Sequence, residues 1–523
     1  MLTESPFARR RILASSCALA FVLLLVYFAA PTRNHYWDGI GFALNIEGIA
    51  QDEEGHYFED ASSGSIYYNP NHLFYNAIGR GLHNVASTIS PNIRALKVLV
   101  LWSTVSSVAA ACMLFHLLLR STANYLLSLW LTLLFAFSAT WWKFSTDANA
   151  YVPGTAMLLL CTVLAVRRDG PPVFWIAICH ALAMLLHQIA ICFYPAMMLL
   201  IWSHQTLPDK RSRFQALARY ILTSAGLVSI SYVTVWTFAL HRALDPRAFF
   251  AWITFNGADV LTKKSPMAHA TDMLTANLRV FFGGKLSLAL DLMHPAIWIT
   301  ASLIVLICAA AILRAVWRSK WRRPNWSLSQ EARFPLLWLG CFLAFLTIWL
   351  TEYQYYRLFC LPAFILLLGS ALRHTTFQGR HFSHPLAALV VAMTCMNFVM
   401  YIGPYSKAEA SPPLQLALQL RPKLTNNAVV YFTEFTCDNW WMKYFNMGTT
   451  WRQADLKDPW RTAAEIREAI ETGRNVFFET SLITYLLSTP EAQQIIGIEL
   501  KLSETLGISN GKHHIQFLEV NPE

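Results

Sequence analysis

The residues of this chain best equipped for chemistry stand in polar stretches beside apolar runs, and they are carboxylates, tyrosines and cations. Asp38 follows the first apolar run in NHYWDGIGFALNIEGIAQ, with Glu47 in the same loop and His72 in its continuation, SIYYNPNHLFYNAIGRGLHNVAS. Asp147 and Asn149 directly precede Tyr151 and another apolar run. Glu352, Tyr353, Tyr355, Tyr356 and Arg357 open a late run, and Lys285 lies in a long loop with Asn277 and Arg279. Such a set suits a reaction on a lipid-linked phosphate. Glycosyl transfer from a polyprenyl phosphate needs a carboxylate to take the acceptor's proton and cations to stabilise the departing phosphate. Asp38 is the candidate base. Arg357 is the candidate phosphate contact, because the arginine fork matches phosphate oxygens. Each has a plainer reading beside it: a solvated loop carboxylate for Asp38, a helix cap for Asp147, and a snorkelling helix end for Arg357. His116, His180 and His187 read as hydrogen-bonded helix or boundary residues, scattered without the spacing of a zinc site.

The elements that must position these residues are membrane spans. Of 523 residues, 55% are hydrophobic, 14% aromatic and 14% charged, too apolar a balance for a soluble globular protein. A net charge of +10 could indicate nucleic acid, but the basic residues fall in short clusters between apolar runs, where they act as topology signals. No nucleic-acid role follows. Nine cysteines lie in apolar runs and only Cys437 lies beyond them, so neither a disulfide framework nor a CxxC metal pair is available. Arg9-Arg10-Arg11 ahead of the run from Ile12 to Ala30 has the form of a signal peptide; its length, and the spans that follow, favour a retained anchor.

Later spans are expected at roughly 95–119, 124–142, 152–166, 171–185, 189–203, 220–240, 295–316, 335–351, 356–372 and 384–402, about eleven in all. The segments at 171–185 and 189–203 are short for a crossing of about 20 residues and would suit a tight hairpin. With the N-terminus inside, the inside segments are ARRR, RSTAN, RRDGPP, DKRSRFQALAR, RAVWRSKWRRPNWSLSQEAR and RHTTFQGRH, all basic. The outside segments hold most of the acidic residues, although Lys263 and Lys264 sit there too. Span interiors are almost free of charge. A proton- or ion-coupled transporter usually carries ionisable groups near the midplane. Two segments would lie along the surface: the helix starting at Asn69-Pro70, with Leu73, Ala77, Ile78, Leu82 and Val85 at helical spacing, and DPRAFFAWITFNGADVL in the loop 241–293.

The expected organisation is therefore a membrane domain over 1–403, with loops 31–94 and 241–293 on the outer face, and an exported α/β domain over 404–523. In that tail NNAVVYFTEF, NVFFETS, IELKLSETL and HHIQFLEV read as strands. CDNWWMKYF, DPWRTAAEIREAIETG and ITYLLSTPEAQQIIG read as helices, the second ending at a C-cap glycine. There is no GxGxxG or P-loop.

Together these residues resemble the GT-C superfamily of integral-membrane glycosyltransferases, which includes protein O-mannosyltransferases and the aminoarabinose transferases of lipid A. The resemblance rests on Tyr36-Trp37-Asp38-Gly39 after the first span and on Ser145-Thr146-Asp147-Ala148-Asn149-Ala150-Tyr151. The third piece is Tyr355-Tyr356-Arg357-Leu358-Phe359-Cys360-Leu361-Pro362, similar to the family's RYLLP-type motif. It implies a mainly α-helical polytopic fold, with Asp38 as catalytic base. A substrate site would use Asp147, Tyr151, Tyr356, Arg357, His72 and Lys285. Where relatives often carry Glu before the second-loop tyrosine, this chain has Asn149, so a metal or acceptor contact there rests on Asp147 or is absent. The sequence supports no cofactor, and no divalent metal. The implied partners are a polyprenyl-phosphate sugar donor and a glycan, lipid or protein acceptor, at a plasma or inner membrane. The alternatives are a polyprenyl-linked saccharide flippase or other transporter, and a non-catalytic scaffold displaying the tail.

The charge pattern makes a direct prediction about topology. Alkaline phosphatase fused after Ala410 should be active, since an odd number of spans leaves the tail outside; an inactive fusion beside an active cytoplasmic reporter would invert the assignment.

Overall fold

The computed structural model describes residues 6–51, 57–59, 67–254, 265–317, 330–373, 376–377, 380–381, 383–422, 424, 427–433, 439–446, 448–455, 458–488, 501–510 and 513–521. Lys263, Lys264, Cys437 and the far end of the helix expected in ITYLLSTPEAQQIIG lie outside the described residues. The chain forms two compact units. One comprises Met1–Thr32, Tyr67–Ile93 and Lys97–Ser406, and the other Arg33–Ile66, Arg94–Leu96 and Lys407–Glu523.

The first unit is helical and belongs to a multi-pass membrane protein. Among the described residues five helices are long and apolar enough to cross a bilayer: Ile12–Ala29, Ala95–Thr122, Lys210–Ala239, Pro295–Arg314 and His384–Tyr405. The segment expected as a straight span over 124–142 is bent. Tyr125–Ala136 and Ala139–Ser145 meet at 69°, and counting them as one broken span makes six. The break is chemically sealed. Ser138 takes an extended conformation and its hydroxyl donates to the carbonyl of Phe135 at 2.9 Å. The amide of Asn397 donates to the carbonyls of Phe137 and Phe281 at 2.9 and 2.8 Å. In an apolar setting a freed carbonyl costs several kcal/mol, so a broken helix persists only with such partners.

Shorter apolar helices fill the remaining expected positions: Tyr151–Ala165, Val173–Leu186, Gln188–Trp202, Ala332–Ile348 and Leu361–Leu372. The segment expected as a helix from 356 begins instead as a 3₁₀ turn over Gln354–Phe359, and the α-helix starts at Leu361 with Pro362 in its first turn. Among its described residues the loop 241–293 opens with the helix Pro246–Ile253 and adds Pro266–Phe281 and Leu286–Leu292. The last two are joined through Gly283 and Gly284. Gly284 has φ +110°, and a Cβ there would stand 1.9 Å from the carbonyl oxygen of Met400. Only glycine lets the two backbones approach this closely. Asn69 caps a 3₁₀ turn over Pro70–His72, and the helix Tyr75–Ile89 follows. Leu82, Val85 and Ile89 leave an exposed apolar stripe on it, the pattern of a helix lying at a lipid surface.

The second unit is built on a five-stranded sheet. From edge to edge its strands are Thr450–Gln453, Ala428–Phe432, Asn475–Glu479, His513–Asn521 and Lys501–Asn510, the first three parallel and the last two antiparallel to their neighbours. Side chains alternate across the pleat. Val430, Phe432, Trp451 and Phe477 pack on one face with Leu416, Leu420 and Met442. Val429, Tyr431, Val476 and Phe478 pack on the other with Ile466, Ala469 and Leu482. Helices cover both faces, which is why the parallel strands read as unbroken apolar runs rather than as alternating ones. The helix Pro459–Glu471 starts on the side-chain cap of Asp458 and ends before Gly473 at φ +72°. This is the glycine expected at its C-terminus. The helix Trp37–Ile46 belongs to this unit, with Ile40, Ala43, Leu44 and Ile46 buried.

Candidate active site

The polar residues of the first unit gather beside the short helix Ala139–Ser145, which is buried along its whole length. Lys143 and Asp147 are four positions apart, and the ammonium donates to the carboxylate oxygen Oδ2. Their side chains are 7% and 0% exposed. The other carboxylate oxygen, Oδ1, accepts from the N–H of Ala148 at 2.9 Å, the hydrogen bonding that a buried ion pair needs to offset its desolvation. The Lys143 ammonium also stands 4.6 Å from the centre of the Phe144 ring.

The cap reading of Asp147 is corrected here. The residue that caps is Asn149, whose Oδ1 accepts from the N–H of Val152 at 2.9 Å at the start of the helix Tyr151–Ala165. Its Nδ2 donates to the carbonyls of Phe144 and Asp147 at 2.6 and 2.9 Å. Asn149 therefore holds the turn, while Asp147 is left to pair with Lys143.

Tyr151 is the hub of an aromatic group. Its ring centre lies 5.0 Å from that of Tyr355, 5.6 Å from Tyr356, 5.1 Å from His187, 6.2 Å from His72 and 5.7 Å from Phe144. Three expected site residues, His72, Tyr151 and Tyr356, thus come together. The two histidines face each other edge to face at 4.5 Å. His187 Nδ1 accepts from the N–H of Ile189 at 3.2 Å, which places its proton on Nε2, and that buried Nε2 has no hydrogen-bond partner among the described residues. His72 Nδ1 donates to the carbonyl of Leu186 at 3.1 Å. Burial pushes His72 down to about 4. Burial, and then the neighbouring His72, push His187 well below its ordinary value. Both rings are neutral near pH 7. Aromatic faces interrupted by a few neutral polar atoms suit a substrate that is itself mostly apolar or that offers hydroxyl groups.

Arg357 is 2% exposed, so it does not snorkel. Nε donates to Asn277 Oδ1 at 2.7 Å, Nη1 to the carbonyl of Tyr353 at 2.8 Å, and Nη2 to the carbonyl of Thr351 at 2.8 Å and to Met273 Sδ at 3.0 Å. These bonds tie the tyrosine segment to the helix Pro266–Phe281. These four bonds engage four of the five N–H donors of the guanidinium. Lys285 is exposed at the start of the helix Leu286–Leu292, and no described contact joins it to the Tyr151 group. Asp38 lies in the other unit, half-buried in the first turn of the helix Trp37–Ile46, where the helix dipole favours a carboxylate. Among the described residues no three His, Cys, Asp or Glu side chains gather as a metal-binding set.

Sequence reasoning did not assign His187, Tyr355 or Lys143 to the site. The four-residue spacing of Lys143 and Asp147 on a helix was the readable signal for one of them. His187 stands at the junction of two short apolar helices, where a polar residue needs a local partner, and Tyr355 sits beside the selected Tyr356.

The fold has a counterpart among solved structures. A crystal structure of ArnT from Cupriavidus metallidurans bound to undecaprenyl phosphate matches with a TM-score of 0.60 at 10% sequence identity, over 98% of this chain and 99% of that one. ArnT from the same organism in the apo state matches with a TM-score of 0.46 at 11% identity, over 99% of this chain and 100% of that one. No family model matches the chain. No curated protein matches it either. The likeness to the lipid-bound structure establishes the fold: a polytopic, ArnT-like membrane architecture spanning nearly the whole chain.

The Arg357 geometry generates a stability prediction. Arg357→Lys keeps the charge but cannot reach Asn277, Tyr353 and Thr351 together. Each acceptor left buried and unpaired costs about 1–3 kcal/mol. Thermal unfolding of the purified protein in detergent should show a lowered Tm; an unchanged Tm would mean that the guanidinium ties are not needed.

Proposed function

We propose that the chain is a GT-C type glycosyltransferase that moves a sugar from a polyprenyl-phosphate-linked donor to an acceptor on the outer face of an inner or plasma membrane. The observation that carries this reading is the fold shared along nearly the whole chain with an ArnT crystallised on undecaprenyl phosphate. The N-terminus would be cytoplasmic and the sheet-containing unit extracytoplasmic, in keeping with the basic inside loops. The acceptor would be a glycan, lipid or protein.

In this reading Asp38 takes the proton of the acceptor hydroxyl or amine. The acceptor heteroatom forms a bond to the anomeric carbon, and the bond from that carbon to the phosphate oxygen breaks. Its electron pair leaves with the polyprenyl phosphate. Developing charge on that phosphate calls for cations; Lys285 is exposed and available, whereas Arg357 and Lys143 are engaged with the protein. Tyr151, Tyr356 and His72 would bind the donor through their aromatic faces. Asp147, paired with Lys143, would keep the floor of that group in place.

The test is Asp38→Asn, nearly isosteric but unable to accept a proton at neutral pH. The variant should insert, fold and bind the lipid donor like wild type, and lose turnover by at least about 100-fold. Retention of most of the activity would remove Asp38 from the reaction.

A further inference from the structure

One network within the second unit has no counterpart in the chemistry above. Glu47 is the residue on which the helix Trp37–Ile46 ends. Nε of Arg94 donates to both of its carboxylate oxygens at 3.0 Å. Nη2 of Arg94 donates to the backbone carbonyl of Tyr444 at 2.8 Å, and its guanidinium stands 4.1 Å from the centre of the Tyr444 ring, a cation–π distance. The Tyr444 hydroxyl donates to Glu47 Oε1 at 3.0 Å and accepts from the N–H of Leu96 at 3.0 Å. The N–H of Ala95 adds a third bond to the same carboxylate oxygen at 2.8 Å. The Glu47 side chain is 9% exposed and that of Arg94 37%, so the carboxylate is the buried end of the pair.

The same helix is gripped at its middle. Gly41 lies so close to Trp440 that a Cβ there would sit 2.6 Å from a ring carbon. Ile40, Ala43, Leu44 and Ile46 are buried and fix its roll. A ten-residue helix is a rod of about 15 Å. Held at its end by Glu47 and at its middle by Gly41, it presents its first turn in one orientation. That first turn carries Asp38 and the 63%-exposed Trp37. Three sequence-distant pieces, the helix, residues 94–96 and the helix Asn439–Phe445, therefore converge on a single carboxylate whose helix bears the candidate base at its other end.

We infer that Glu47, Arg94 and Tyr444 are positioning residues for Asp38, so that the sheet-containing domain works as a splint for the acidic helix. This rests on the transferase reading with Asp38 as base. A misplacement of about 1 Å can cost about 100-fold in rate without any change in the groups that react.

The experiment is a double-mutant cycle on the full-length protein, with kcat and donor KM measured for a polyprenyl-phosphate sugar. Tyr444→Phe removes one hydroxyl, and Arg94→Lys keeps the charge but loses the shared geometry. Each should lower kcat by about 10- to 100-fold with donor KM unchanged. Neither should lower it further in an Asp38→Asn background, because residues that act through one group are not additive. Wild-type kcat in both single variants overturns the inference. So does an equal loss in the two backgrounds, or failure of both conservative variants to fold, since the network would then be structural only. The transferase reading fails separately: it falls if the wild type transfers no sugar or if Asp38→Asn alone keeps its turnover.

Discussion

The buried pair of Lys143 and Asp147 sets the terms for the rest of the membrane unit. A charge in apolar surroundings survives only when paired and hydrogen-bonded, and a free backbone group only when it finds a donor or acceptor. The turn that follows Ala139–Ser145 satisfies both conditions at once. Asn149 closes it by capping the next helix, leaving the Asp147 carboxylate for Lys143. On the near side, Asn397 satisfies the carbonyl released where the span bends. The bend and the turn deliver Tyr151 to the end of its helix, where His72, His187, Tyr355 and Tyr356 meet it. The same demand explains Arg357, whose guanidinium is spent on carbonyls and an amide rather than held out to solvent.

Much of this architecture is legible in the chain itself, and for identifiable reasons. Apolar runs are local properties, so apolar helices fall close to the expected places, although among the described residues only five of them, or six with the bent pair, are long enough to cross a bilayer. The strands Ala428–Phe432 and Asn475–Glu479 and the capped helix Pro459–Glu471 are announced by apolar runs, an Asp-Pro start and a glycine stop. The short strand Thr450–Gln453 carries no such signal; it exists because it pairs with Ala428–Phe432. The bend at Phe137 and Ser138 likewise depends on Asn397, more than 250 positions away, and no local pattern marks it.

The candidate site divides along the same line. Tyr151, Tyr356 and His72 were readable as aromatic and polar residues at span boundaries, and they do come together. Residue type alone could not tell Asp147 from Asn149 as the capping residue, because both can cap a helix; the turn geometry decides it. Arg357 combines a donor fork with a boundary position, which suits a phosphate equally well as a set of carbonyls. Only the positions of Asn277, Thr351 and Tyr353 reveal which partners it has. The association of Asp38's helix with Tyr444 and Trp440 spans some 400 residues of sequence and is invisible without the structure.

A fold shared at 10% identity fixes the architecture and leaves the reaction to be decided by the residues within it. The most direct test is to incubate the purified protein with a polyprenyl-phosphate sugar and a cell-envelope extract, and to follow donor and products by mass spectrometry. Transfer predicts that bare polyprenyl phosphate and a sugar-modified acceptor appear one for one. A donor that stays intact, or is merely carried across a membrane unchanged, would contradict it.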